Sequence, residues 1–225
     1  MKATLTIPEN LNEISLVQYQ RFLVASEIEG MGQDFLDRKM VSIFCSMSFS
    51  DTLQIKQKDI RETCEHLNNL FEGEQAFQQT FKIKDTEFGF IPSLEDITAG
   101  EFADLDNYLG DWEHMNKAMA VLYRPTTTKI KDKYLIEDYQ GSDKHSELMQ
   151  FAPLGVVLGA VFFFLNLSKA LSKAIQVSLR EEMLEESIQL VRSSQQSGDG
   201  TAAFTRSLEE SLRALLQVSD TEKVL

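Results

Sequence analysis

Cysteine is nearly missing from this chain of 225 residues: Cys45 and Cys64 stand alone. Two thiols cannot build a disulfide scaffold or a four-cysteine zinc site. Histidine is as scarce, with His66, His114 and His145 far apart and no HExxH pair, so a histidine-based metal centre has no foundation. Basic charge is in deficit. Lys plus Arg is 22 against 35 Asp plus Glu, a net charge of −13. So acidic a surface does not grip nucleic-acid phosphates, and no direct nucleic-acid partner is expected. The glycine patterns that cradle phosphates, GxxxxGK[ST] and GxGxxG, do not occur, nor does a GxSxG nucleophile elbow. The chain is therefore expected to be no enzyme, with no catalytic residue, no metal ligand and no cofactor.

The start, MKATLTIPENLNEISL, lacks the unbroken apolar stretch of a secretory signal, which makes the cytosol the expected compartment and keeps both thiols reduced. Cys45 lies in the apolar window VSIFCSM and reads as a core residue. With 43% hydrophobic residues the chain can bury a core, which excludes a wholly disordered protein.

The fold class expected is mainly α with a small β component: a helical domain with two short β-hairpins and a C-terminal amphipathic helical extension. Residues 1–79 form an N-terminal strand and helical region. Lys2 to Ile7 alternate like a strand stopped by Pro8. Helices follow over about Glu13 to Ala25, Phe35 to Met47 and Gln57 to Phe71, with breaks at Gly30, Gly32 and Gly73. Residues 80–192 form a central α+β region. It opens with a hairpin from Thr80–Ile83 and Glu87–Ile91 around a KDT turn. Thr98 and Glu101 then spell a T-x-x-E capping box. The stripe Phe102, Leu105, Leu109, Trp112, Met115, Met119 and Leu122 lies on one helix, or on two meeting near Gly110 and Asp111, and Pro125 ends it. A second hairpin is expected up to Ile130 and over Tyr134–Tyr139, around a KDK turn.

From Leu148 to Ser168 there is no charge, and the centre of that stretch is Phe151 to Leu165. Fifteen unbroken apolar residues span roughly 23 Å as a helix, short of the ~30 Å hydrocarbon core of a bilayer. The preferred reading is a helix buried by its own protein, its Gly155, Gly159 and Ala160 letting another helix approach closely, with no membrane contact. It continues or bends into an amphipathic part using Leu167, Leu171, Ile175, Leu179, Leu184, Ile188 and Val191. The core expected from these patterns takes Phe102, Leu105, Leu109, Trp112 and Met119 from the stripe and Leu158, Val161 and Phe162 from the apolar helix.

Residues 193–201, SSQQSGDGT, read as a flexible linker. Residues 202–225 read as a last short helix presenting Phe204, Leu208, Leu212, Leu215 and Leu216. That face is too narrow to hold a helix by itself. Nine polar residues are long for a simple helical hairpin, so these five side chains are the expected partner-binding residues.

Nine Asp or Glu and no Lys or Arg lie between Asp85 and Glu113. A cation site around Glu101, Asp104 and Asp106 would need a ligand at Tyr108, where an aromatic stands, so a solvated acidic face is the preferred reading. Arg124 is placed to pair with this segment at a buried rim.

The stretch FGFIPSLEDITAGEFADLDNYLGDWEHMNKAMAVLYRP, Phe88 to Pro125, is similar to sequences from the structural-gene regions of tailed bacteriophages. YLIEDYQGS and PLGVVLGAVFFFLNL continue that pattern, and the resemblance covers roughly Ile7 to Leu167. The functional class it most resembles is the tail assembly chaperones: small, helical, acidic proteins with a T-x-x-E helix start, here Thr98 to Glu101. The resemblance implies a non-enzymatic morphogenesis protein in the host cytoplasm that binds other phage structural or tail proteins. A virion subunit of neck, ring or connector, homo-oligomeric through its apolar helix, is the alternative. A small membrane-associated phage protein is the third.

Overall fold

A computed structural model describes residues 5–196 except 29, 74 and 132, with backbone alone at 130, 171, 181 and 186–196. The architecture is mostly helical with one four-stranded antiparallel sheet built from two hairpins, as expected. After a 3-10 turn at Leu11–Glu13 come α1 (Leu16–Ser26), α2 (Gln33–Phe44), α3 (Phe49–Thr52) and α4 (Gln57–Glu72). Next are β1 (Thr80–Ile83), β2 (Thr86–Phe90), α5 (Ala99–Tyr108), α6 (Met115–Leu122), β3 (Tyr123–Ile130) and β4 (Lys133–Ile136). The described chain closes with α7 (Asp143–Met149) and α8 (Leu154–Gln196).

Local chemistry explains most boundaries. Ser15 and Gln18 form a capping box on α1, and Gln18 reaches on to the carbonyl of Ile43, tying α1 to α2. Between α1 and α2 the chain turns through Gly30 at φ +81°, a conformation with no steric cost for glycine. The expected capping box on α5 is complete: Glu101 N donates to Thr98 Oγ1 at 3.2 Å and Thr98 N donates to Glu101 Oε2 at 2.7 Å. The apolar stripe falls on two helices, separated where Gly110 adopts φ +100°.

In each hairpin two residues, not three, form the turn. Ile83 pairs with Thr86 and Ile130 with Lys133, and the first turn residue, Lys84 or Lys131, takes a positive φ. A tight turn of that hand matches the twist of the flanking strands. The sheet order is β1-β2-β3-β4, with α5 and α6 inserted between its two hairpins. Phe81, Phe88, Phe90 and Tyr123 form a ring cluster on its buried face, with centroids 5.1 to 5.7 Å apart.

Several expectations are corrected. Leu5, Thr6 and Ile7 belong to no strand. Alternation makes a strand only where a ladder partner exists; here His66 Nε2 of α4 donates to the Pro8 carbonyl at 2.8 Å and the segment packs on helices. Pro125 does not end the stripe; the helix stops at Leu122 and Pro125 sits within β3 opposite Phe88. Phe102 is 62% exposed, so it is not core. The inward side of α5 carries Glu101 and Leu105, one helical turn apart, and Phe102 lies about 100° around from Glu101. From α8 the fully buried residues are Leu154, Val156, Val157 and Ala160, while Leu158, Val161 and Phe162 are half-buried.

Gly155 and Gly159 do admit close packing, but not of a helix. A Cβ on Gly155 would lie 2.5 Å from Asn12 Oδ1, and one on Gly159 2.6 Å from the Ala76 carbonyl oxygen. The chain entering α1 is bonded to the chain entering α8: Leu16 N donates to Ala152 O at 3.0 Å and Leu154 N to Ile14 O at 2.8 Å. Irregular backbone has free amides and carbonyls that demand partners, and these contacts supply them.

Contacts divide the chain into two compact units, Met1–Phe164 and Leu165–Leu225. No division falls after residue 79, because helices and sheet share one core that includes Leu16, Phe44, Leu67, Phe88 and Met119. Of the linker expected over 193–201, residues 193–196 belong to α8, which runs to Gln196, and 197–201 lie outside the described residues.

Candidate functional site

Four of the nine carboxylates of 85–113, Glu87, Glu101, Asp104 and Asp111, are engaged within the fold. Lys129 donates to Glu87 at 2.8 Å and holds that carboxyl below the usual range. Arg124 Nη2 donates to Glu101 Oε1 at 2.7 Å, and both side chains are more than nine-tenths buried. Tyr139 donates to Asp104, which lowers the Asp104 carboxyl, while burial first and that bond second push the Tyr139 hydroxyl up. His114 Nδ1 donates to Asp111 at 2.7 Å, lowering it. Glu101 and Asp104 are thus held by protein donors instead of being gathered for a cation, and no group of three His, Cys, Asp or Glu able to hold a metal occurs among the described residues.

The Arg124–Glu101 pair lies at a cavity of about 490 Å³ between the segment after β2, the start of α5 and the end of β4. Ile91, Ile97 and Ile136 give it an apolar wall, the Tyr139 ring lies 5.8 Å from the guanidinium, and Asp96 and Asp138 stand exposed around it. Glu137 is held low by Lys144 first and His145 second. At this cavity Thr98 Oγ1 accepts from the Glu101 amide and is bonded to no base. A second depression of about 640 Å³ lies between α1 and the α5–α6 turn, with Leu23, Val24 and Trp112 on its walls.

Neither thiol has the lowered pKa of an activated cysteine. Cys45 and Cys64 are buried and free, and burial pushes them up to about 11 and about 12.

Among the described residues, an exposed apolar face lies in the second unit. Leu165, Leu167, Ile175, Leu179 and Met183 of α8 are exposed. Leu167, Ile175, Leu179 and Met183 fall on steps of four or eight, a ridge winding slowly around the helix. The sequence reading took Leu167, Ile175 and Leu179 as the dry side of an amphipathic helix; the steps of four were the sign that they leave the buried side. Burial on every side is therefore corrected for this helix: it holds for Leu154 to Val157, while Phe151 is 58% exposed. By length and composition Leu154–Glu185 is sufficient to cross a membrane, since the helix continues past the fifteen-residue run. The expected partner-binding residues Phe204, Leu208, Leu212, Leu215 and Leu216 lie outside the described residues.

No family model, no curated protein and no solved structure matches this chain.

Proposed function

We propose that the protein is a non-enzymatic bacteriophage morphogenesis factor of the tail assembly chaperone kind, acting in the host cytoplasm by binding another tail protein. The observation that carries this reading is the exposed ridge of Leu167, Ile175 and Leu179 on α8. Large side chains left in water at regular spacing on a helix favour a protein partner that covers them. The net charge of −13 keeps such a surface soluble until that partner arrives and disfavours nucleic acid as the partner. The sequence resemblance points to the same class.

The test is made in a phage-producing cell and on purified particles. A chaperone is required for tails yet missing from the particles by mass spectrometry. Ile175→Glu with Leu179→Glu should abolish tail formation while leaving the protein folded by circular dichroism. Stoichiometric recovery of the protein from purified virions would establish the virion-subunit reading instead. The hydropathy of Leu154–Glu185 favours the membrane reading, and co-sedimentation of the wild-type protein with host membranes would establish that one.

A further inference from the structure

The lysines of the sheet gather at one end. In the order β1-β2-β3-β4 with direct hairpins, both tight turns lie at one end of the sheet; the α5–α6 insertion and the end of β4 lie at the other. The turn end carries Lys82, Lys84, Lys129, Lys131 and Lys133, all exposed. Against them stand Asp85 and Glu87, while Asp132 lies outside the described residues. Lys129 is held by Glu87, and the other four lysines make no ion pair among the described residues. In a chain of net charge −13, so positive an end needs an account.

The opposite end has the opposite sign. Glu95, Asp96 and Asp138 are exposed there and make no ion pair among the described residues. Asp96 and Asp138 line the cavity of about 490 Å³, whose apolar wall is Ile91, Ile97 and Ile136. The charge of Arg124 is answered inside it by Glu101, so the two aspartates remain unbalanced. An apolar wall beside free carboxylates suits a lysine side chain, whose methylenes bury while its ammonium stays at the rim. The eight residues of β3 separate the two ends by roughly 25 Å, against the ~8 Å over which charges act in physiological salt. One copy therefore does not neutralise itself, and a second copy can. Of the two turns, that at Lys131 fits better: Lys129 and Lys133 flank it, whereas Lys84 has Lys82 and Thr86. Its hairpin is also the longer, because β3 continues to Ile130 past Pro125, its last partner on β2.

We infer that the Lys131 turn of one copy docks at the Asp96–Asp138 cavity of a second copy, with the lysine side chain along the isoleucine wall. The two surfaces differ, so the contact is head-to-tail: each copy gives one and receives one, building a ring or a filament. Exposed charges bind weakly, so the association is reversible and is lost on dilution. It stands apart from the phage reading, because it rests on the sheet and not on α8.

The experiment follows the full chain by sedimentation at rising concentration. At about 0.05 M salt its mass should climb above the 25.6 kDa monomer, and about 0.5 M salt should weaken the association at least tenfold. Lys131→Gln with Lys133→Gln should weaken it at least tenfold, and so should Asp96→Asn with Asp138→Asn. An equimolar mixture of these two variants should associate again but stop at pairs, because one keeps the acidic end and the other the basic end. A chain monomeric throughout, an association indifferent to salt, or a mixture that stays monomeric overturns the proposal. So does a monomeric chain whose retention on heparin is lost with the lysine pair, which gives that end to an anionic polymer. If a variant fails to fold, carbodiimide cross-linking of the wild type decides. A bond between Lys131 and Asp96 or Asp138, mapped in the isolated dimer, supports the docking, and dimers linked only elsewhere refute it.

Discussion

Glu101 and Arg124 join the start of α5 to β3 through a buried contact of 2.7 Å. The other carboxylate oxygen of Glu101 accepts the Thr98 amide, so one side chain caps a helix and anchors a strand. Arg124 Nε has no hydrogen-bond partner among the described residues, which leaves the guanidinium dependent on Glu101. Glu101→Gln keeps a capping amide but removes the charge. It should cost about 3–5 kcal/mol in urea unfolding, because a buried cation is left unpaired. Glu101→Gln combined with Arg124→Met should recover much of that loss. A single variant within about 0.5 kcal/mol of wild type would show that the pair is solvated and idle.

Leu105→Ala and Phe102→Ala, three residues apart on α5, should separate sharply. Leu105 is buried and should lose about 2–5 kcal/mol on truncation. Phe102, mostly in water, should lose less than about 1 kcal/mol despite the larger deletion. Equal losses in chemical denaturation would mean that Phe102 is covered in solution, by a second copy or by a partner.

Local signals were legible because they depend on neighbours in sequence. The Thr98–Glu101 capping box, both hairpins and the break at Gly110 all follow from short-range backbone chemistry. That Arg124 pairs with the acidic segment was legible from the charge pattern; that Glu101 is its partner was not. What could not be read was which side of each helix faces the core. Phe102 and Leu105 belong to one periodic stripe, and long-range contacts of Glu101 with Arg124, of Asp104 with Tyr139 and of Leu105 with the core accompany the outward face of Phe102. The partner of the small-residue pair was hidden for the same reason. Gly155 and Gly159 promise close approach, but Asn12 and Ala76, which make it, are remote in sequence. The α8 ridge was misread because alternate rows on one helix have nearly the same spacing, and burial selects between them.

Gly159→Ala should reverse the usual effect of removing a helical glycine. At an open helix position the change to alanine stabilises by up to about 1 kcal/mol. Here the added methyl meets the Ala76 carbonyl oxygen at 2.6 Å, which is backbone and cannot swing away. A loss of about 1–3 kcal/mol is expected in thermal or urea unfolding. Gly155→Ala meets the end of the Asn12 side chain, which can rotate, so its loss should be smaller. A stabilised Gly159→Ala protein would place the Ala76 segment farther from α8 than the structure has it.

Cys45 and Cys64 make stability fall at alkaline pH, and the sign follows from burial. Both thiols are pushed up, to about 11 and about 12, whereas in the unfolded chain a thiol loses its proton near pH ~8.5. Above that pH the unfolded state binds fewer protons than the folded state, so unfolding is favoured as pH rises. The stabilisation is complete below about pH 8 and erodes upward until the folded thiols ionise. By pH 10 the loss should be on the order of 1–2 kcal/mol per thiol. The chain carrying Cys45→Ala and Cys64→Ala will be less stable at neutral pH, so the quantity to compare is slope. Urea unfolding between pH 7 and pH 10 should show a steeper decline for wild type than for the double variant. Parallel slopes would mean that the thiols ionise as readily in the folded protein, and a thiol reagent would then label both without denaturant.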